Sequence, residues 1–163
     1  RFVGLRDIGA ALSPQSAFNI IQGLETVSLR MEKHCSNAAK VAEYLSNHNK
    51  VSRVIYAGLD DGEAGERANK YLKGGHGALC GIELKGGKAS GEKFINNLNM
   101  FYHVANIGDA RSLAIHPAST THSQLSDEDM EAAGVNPSYV RLSIGIEHID
   151  DIIEDLKNAL DAA

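Results

Sequence analysis

The stretch Val140-Arg141-Leu142-Ser143-Ile144-Gly145-Ile146-Glu147 sets one arginine where it can do chemistry. Val140, Leu142, Ile144 and Ile146 alternate with Arg141, Ser143, Gly145 and Glu147, the period of a strand with two unlike faces. One face is wholly aliphatic and belongs in a core, so the guanidinium stands on the opposite face of a rigid element. Arginine stays charged at any working pH and presents a planar fork that fits a carboxylate. Two readings follow from the strand alone. Arg141 awaits an external anion, or it is partly buried and paired with a local Asp or Glu, because buried charges are normally paired.

Other residues offer less. His116 and His122 flank Pro117 six residues apart, without an acidic residue at a familiar ligand spacing, so a metal site is not expected. A Ser-His-Asp hydrolase needs its serine on a strained turn, and Gly-x-Ser-x-Gly is missing. Gly74-Gly75-His76-Gly77 resembles a phosphate loop in composition only. It lies between a helix and a strand in the wrong order for a cradle, and reads as a turn. The run His116-Pro117-Ala118-Ser119-Thr120-Thr121-His122-Ser123-Gln124-Leu125-Ser126 is rich in hydroxyls and reads as an ordered loop. Its side chains either satisfy loop backbone or form a wall of a polar pocket. Cys35 and Cys80 lack CxxC spacing and read as small core residues in a reducing compartment.

The elements that must position these groups can be read from periodicity. Ser13 and Pro14 start a helix. Phe18, Ile21, Leu24, Val27 and Met31, then Ala38, Val41, Ala42 and Leu45, carry it to about His48 with a kink near Gly23. Strands are expected at 51–56, 78–84, 101–105, 112–115 and from Val140, with helices at 66–72, 92–98, from the Ser126 and Asp129 capping box to Gly134, and over Ile149, Ile152, Ile153, Leu156 and Leu160. Asp150, Asp151, Glu154 and Asp155 read as a solvated face at the start of that last helix. The fold class is α/β or α+β: a small mixed or antiparallel sheet of four to five strands, covered by helices, behind a long leading helix. A length of 163 residues suits one domain, and a net charge of −5 gives no electrostatic support for nucleic-acid binding. No apolar run is long enough for a membrane-spanning helix. The opening Arg1-Phe2-Val3-Gly4, without an initiator Met, reads as a fragment or a processed product.

Several motifs in register resemble a known family. Leu12-Ser13-Pro14, Gln22-Gly23-Leu24-Glu25-Thr26 and Leu29-Arg30-Met31-Glu32 are similar to the long interdomain helix of the Cys/Met-metabolism enzymes that use pyridoxal phosphate. Asn106-Ile107-Gly108-Asp109-Ala110-Arg111-Ser112-Leu113, the His116 to His122 run and Arg141 to Glu147 are similar to later signatures of that family, in order. Asn106, the Ser119-Thr120-Thr121 triplet and Glu147-His148-Ile149-Asp150-Asp151 resemble its sulfhydrylase branch most closely.

The resemblance implies a C-terminal domain of a fold-type I enzyme. Residues 1–48 would be the end of a connecting segment and the interdomain helix, and 49–163 the substrate-carboxylate-binding domain. Arg141 would bind the α-carboxylate of an amino-acid substrate, with Asn106 donating beside it, Gly108 allowing the turn that presents Asn106, and Thr121 orienting either of them. No residue here would be catalytic, since the family's cofactor lysine lies in an upstream domain and no lysine here sits in a Ser-x-x-Lys setting. The implied cofactor is pyridoxal 5'-phosphate, held by the upstream domain and not covalently by this chain. The implied partners are that N-terminal domain, further copies in a homo-oligomer (a tetramer), and a small-molecule substrate, in the cytoplasm. The implied reaction is replacement at Cγ of O-acetylhomoserine by sulfide or methanethiol. Methionine γ-lyase and cystathionine γ-synthase activities remain alternatives, as does a non-catalytic interaction module.

Overall fold

The computed structural model describes Gly4 and residues 7–163; the unusual opening Arg1-Phe2-Val3 lies outside the described residues. The chain divides into two compact units, Arg1–Arg30 and Met31–Ala163.

The first unit is built on α1 (Pro14–Glu25). Its start follows the local signal: Ser13 Oγ accepts from the Ser16 N–H at 3.1 Å, with Pro14 at the first helical position. None of its residues is buried, and Phe18, Ile21 and Leu24 are 56%, 54% and 61% exposed. The helix breaks at Thr26, three residues after the glycine expected to kink it, and resumes as α2 (Val27–Ser46). Arg30 donates from Nη2 to the Gly23 carbonyl and from Nε to Thr26 Oγ1 at 3.3 Å, so the Gly23 carbonyl has a side-chain partner at the interruption.

The second unit begins inside α2, whose Ala38, Val41, Ala42 and Leu45 are fully buried at helical spacing. There follow β1 (Val51–Ile55), α3 (Glu63–Tyr71), β2 (Leu79–Leu84), α4 (Gly87–Asn96), β3 (Tyr102–His103) and β4 (Leu113–Ile115). A 3₁₀ turn (Pro117–Ser119), α5 (Asp127–Ala132), β5 (Tyr139–Ser143) and α6 (Ile149–Ala162) complete the unit. The strands form one mixed five-stranded sheet in the order β1-β2-β5-β4-β3, antiparallel except for the parallel β3–β4 pair. This is the expected α/β class. Cys80, Ile82, Val140 and Leu142 of the sheet share a core with Phe94 of α4, Ile152, Leu156 and Leu160 of α6, and the buried side of α2.

β5 is central, hydrogen-bonded to β2 on one side and β4 on the other. Its Val140 and Leu142 enter the core, which sends Tyr139, Arg141 and Ser143 to the opposite face by strict alternation. The strand is shorter than the aliphatic pattern suggests, ending at Ser143. Beyond it, Ile144 N–H donates to Ala78 O and Ile146 N–H to Ala110 O, both at 2.9 Å, so the segment stays tied to its neighbours without regular pairing.

One expectation is corrected. Asp150, Asp151 and Glu154 of α6 are exposed, but Asp155 is only 7% exposed. Its carboxylate accepts from the backbone N–H groups of Asn99, Met100 and Phe101 at 2.9, 3.0 and 3.4 Å, closing the turn between α4 and β3. Three amides in a turn leave donors that need an acceptor, and a carboxylate from the packed side of α6 supplies it.

Candidate functional site: an arginine clasped by a loop

Arg141 stands directly opposite Gly81 of β2 and Ile115 of β4. Backbone pairing on both sides fixes its Cα. Gly81 leaves room on that face, which the Tyr139 ring fills: a Cβ on Gly81 would lie 2.5 Å from Tyr139 Cε2. Burial raises the Tyr139 pKa above the usual tyrosine value, and the positive charge of Arg141 partly offsets that rise. The phenol therefore stays neutral beside the guanidinium.

The guanidinium meets a loop rather than an acid. Nη2 donates to Ala105 O at 2.6 Å and to Asn106 O at 3.3 Å. Nε is buried and has no acceptor among the described residues. Of the two readings of the strand, pairing with a local acid finds no support: no salt bridge to Arg141 occurs among the described residues. Glu147, the acid on the same alternating set, is committed elsewhere. Its Oε1 accepts from Ser112 N at 2.6 Å and its Oε2 from Ser112 Oγ at 3.0 Å. A buried unsatisfied donor on a charged group costs free energy, on the order of 1–3 kcal/mol or more.

Ala105, Asn106, Ile107, Gly108, Asp109 and Arg141 line an open cleft of about 550 Å³. Asn106 contributes its carbonyl to Arg141 and is exposed on the cleft side, leaving its amide available to a ligand. Gly108 has φ +77°, a conformation that favours glycine, and its N–H donates to Ser143 Oγ at 3.2 Å. Asp109 Oδ1 accepts from Arg111 N at 3.0 Å and turns the chain back toward β4. The arrangement offers a fixed cation and an adjacent amide on an open cleft, a set suited to a carboxylate.

Arg141, Asn106 and Gly108 thus come together. Thr121 does not join them: it is exposed, its Oγ1 lies 2.9 Å from His122 Nδ1, and it is not among the residues lining the cleft. His122 and Pro117 line a different cleft of about 390 Å³ with Arg53, Glu83 and Tyr139. Most other polar groups of the 116–126 loop serve its own backbone. Thr120 Oγ1 donates to His116 O and Ser123 Oγ to Thr120 O, both at 2.8 Å.

Sequence reasoning missed the residues that hold the loop. Ser112 Oγ accepts from Gly145 N at 2.9 Å, and Asn37 Nδ2 of α2 donates to Gly145 O and Glu147 O at 3.0 and 2.9 Å. Gly145 is required by contact: a Cβ there would lie 2.2 Å from Glu147 Oε2 and 2.5 Å from Ala110 O. The available signal was a lone glycine in a strand pattern, which marks close backbone approach.

Residues 2–161 match the Cys/Met metabolism PLP-dependent enzyme family, and the chain belongs to it. Among its relatives, an O-acetyl-L-homoserine sulfhydrylase from Leptospira meyeri is 53% identical over 161 residues, covering 98% of this chain and 36% of that protein. An L-methionine gamma-lyase from Fusobacterium nucleatum subsp. polymorphum is 46% identical, covering 99% of this chain and 41% of that protein. A crystal structure from Campylobacter jejuni, provisionally assigned as an O-acetylhomoserine (thiol)-lyase and carrying an N'-pyridoxyl-lysine-5'-monophosphate, superposes with a TM-score of 0.86 at 44% identity. It covers 96% of this chain and 37% of its own. The chain therefore spans between a third and a half of the length of these relatives.

Proposed function

We propose that this chain is the C-terminal, substrate-carboxylate-binding part of a PLP-dependent sulfhydrylase that converts O-acetylhomoserine and sulfide (or methanethiol) to homocysteine (or methionine) and acetate. The observation that carries the reading is the Arg141 guanidinium, paired with no acid among the described residues and lining an open cleft on a central strand beside an exposed Asn106. Pyridoxal phosphate supplies the electron sink when bound. This chain supplies orientation: the Arg141 fork and the Asn106 amide hold the α-carboxylate, which fixes rotation about the Cα–N bond and sets the Cα–H for proton removal. Positioning of this kind is worth several kcal/mol of barrier.

In the same reading, residues 1–48 are the connecting segment and interdomain helix, and 49–163 the carboxylate-binding domain. The exposed Phe18, Ile21 and Leu24 of α1 suit a covering partner, which we take to be the N-terminal cofactor-binding domain within a homotetramer. No helix among the described residues is long and apolar enough to cross a membrane, and the free Cys35 and Cys80 suit a reducing cytoplasm.

Replacing Arg141 by Ala in the full-length protein is expected to cost on the order of 2–5 kcal/mol in kcat/KM for O-acetylhomoserine, because a charged buried contact is lost. A change below about twofold overturns the assignment. A second reading, methionine γ-lyase, is favoured by the 46% identity of the Fusobacterium relative. Assays with O-acetylhomoserine plus sulfide, against methionine alone, separate the two.

A further inference from the structure

We infer that Glu147 and Ser112 form a brace that aims the Arg141 guanidinium, acting through the 105–112 loop. The inference rests on the carboxylate reading of Arg141 and deepens it.

Residues 105–111 are exposed throughout, so packing does little to hold them in place. Their position is fixed by long-range hydrogen bonds to the end of β5 and the segment after it. Gly108 N–H reaches Ser143 Oγ at 3.2 Å, and Ala110 O accepts from Ile146 N at 2.9 Å. The strongest tie is at the loop's C-terminal end. Ser112 is fully buried, and both its N–H and its hydroxyl donate to the Glu147 carboxylate, at 2.6 and 3.0 Å, while its Oγ accepts from Gly145 N at 2.9 Å. Donation to an ionised acceptor makes these stronger than neutral bonds.

The far side of the brace is anchored as well. Asn37 holds the carbonyls of Gly145 and Glu147, and His34 Nδ1 donates to Ile144 O at 2.6 Å, the carbonyl being able only to accept. Both side chains are buried on α2. The line of force runs from α2 through residues 144–147 to Ser112, then along the loop to the carbonyls of Ala105 and Asn106. Those carbonyls hold Nη2 and so decide where the remaining guanidinium donors point. Glu147 does not line the Arg141 cleft and forms no salt bridge among the described residues. It is a positioning residue.

The test is steady-state kinetics on the full-length holoenzyme with O-acetylhomoserine and sulfide. Glu147→Ala raises KM for O-acetylhomoserine about tenfold with kcat within about threefold, because a misplaced clamp weakens substrate holding. Glu147→Gln, which keeps an oxygen for Ser112 N–H, recovers most of the loss. In an Arg141→Ala background, Glu147→Ala adds nothing, since a residue that acts only through another is fully non-additive with it. The same penalty in both backgrounds overturns the brace, as does an unchanged KM in Glu147→Ala when Arg141→Ala is impaired. If Arg141→Ala itself is unimpaired, the carboxylate reading fails first and the brace falls with it. Should Glu147→Ala not fold, Ser112→Ala keeps the backbone contact and carries the same comparison. It raises KM about threefold in the wild-type background and not at all without Arg141.

Discussion

Two polar loops flank β4, and their hydrogen bonds run in opposite directions. The 116–126 loop bonds mostly to itself, Thr120 to His116, Ser123 to Thr120 and Thr121 to His122, and beyond itself His116 reaches Pro137 O and Ser126 reaches Asp129. The 105–112 loop bonds across more than 30 residues, to Arg141, Ser143, Gly145 and Glu147. A loop that satisfies its own backbone is a closure. A loop that leans on a distant strand shares that strand's position, and here it still leaves the Asn106 amide uncommitted beside Arg141. The loop with the more arresting composition is therefore not the one with groups to offer.

Substitutions can break this contrast, beginning where the loop and the strand extension touch. Gly145→Ala should have the largest effect. Its Cβ would meet backbone at Ala110 O as well as the Glu147 carboxylate, and backbone cannot swing aside. Overpacking of this kind costs about 3 kcal/mol of stability. The midpoint and slope of urea unfolding measure it. A loss under about 1 kcal/mol would mean that loop and strand are not held as closely as the geometry requires. Asn106→Ala comes next. It removes an amide from the cleft but no bond that holds the fold, because Arg141 uses only its carbonyl. KM for the amino-acid substrate should rise roughly tenfold, about one charged hydrogen bond, with an unchanged melting temperature. A fall in melting temperature of more than a few degrees would mean that the side chain holds the loop instead of serving the ligand.

What was legible in the sequence was local or periodic. Alternation fixed the face on which Arg141 stands, and Ser13 with Pro14 fixed the start of α1, because both signals act over a few residues. Family motifs identified Asn106 and Gly108 as neighbours of Arg141, and the cleft brings them together. The ties that aim Arg141 were not legible. Glu147 looked like one more polar residue on an alternating strand, and its partner Ser112 is 35 residues away. Asp155 looked solvated because neighbouring acids are, yet it caps a turn 54 to 56 residues earlier. The break in the leading helix falls at Thr26 instead of Gly23, where the Arg30 side chain bonds to both residues. In each case the deciding contact is made by a side chain whose pattern in sequence is also compatible with exposure.

The smallest effect expected is in the other loop. Thr120→Val keeps the shape of the side chain and removes the Oγ1 donor to His116 O. That carbonyl would still accept from Ser119 N at 3.2 Å, so no buried acceptor is orphaned. The loss of stability should then stay near 0.5–1 kcal/mol, the net worth of one neutral hydrogen bond. KM and kcat for O-acetylhomoserine should remain within about twofold, since a self-satisfied loop has nothing to transmit to Arg141. A KM rise matching that of Asn106→Ala, measured in parallel, would mean that both loops reach the substrate, and the distinction between closure and clasp would have to be abandoned.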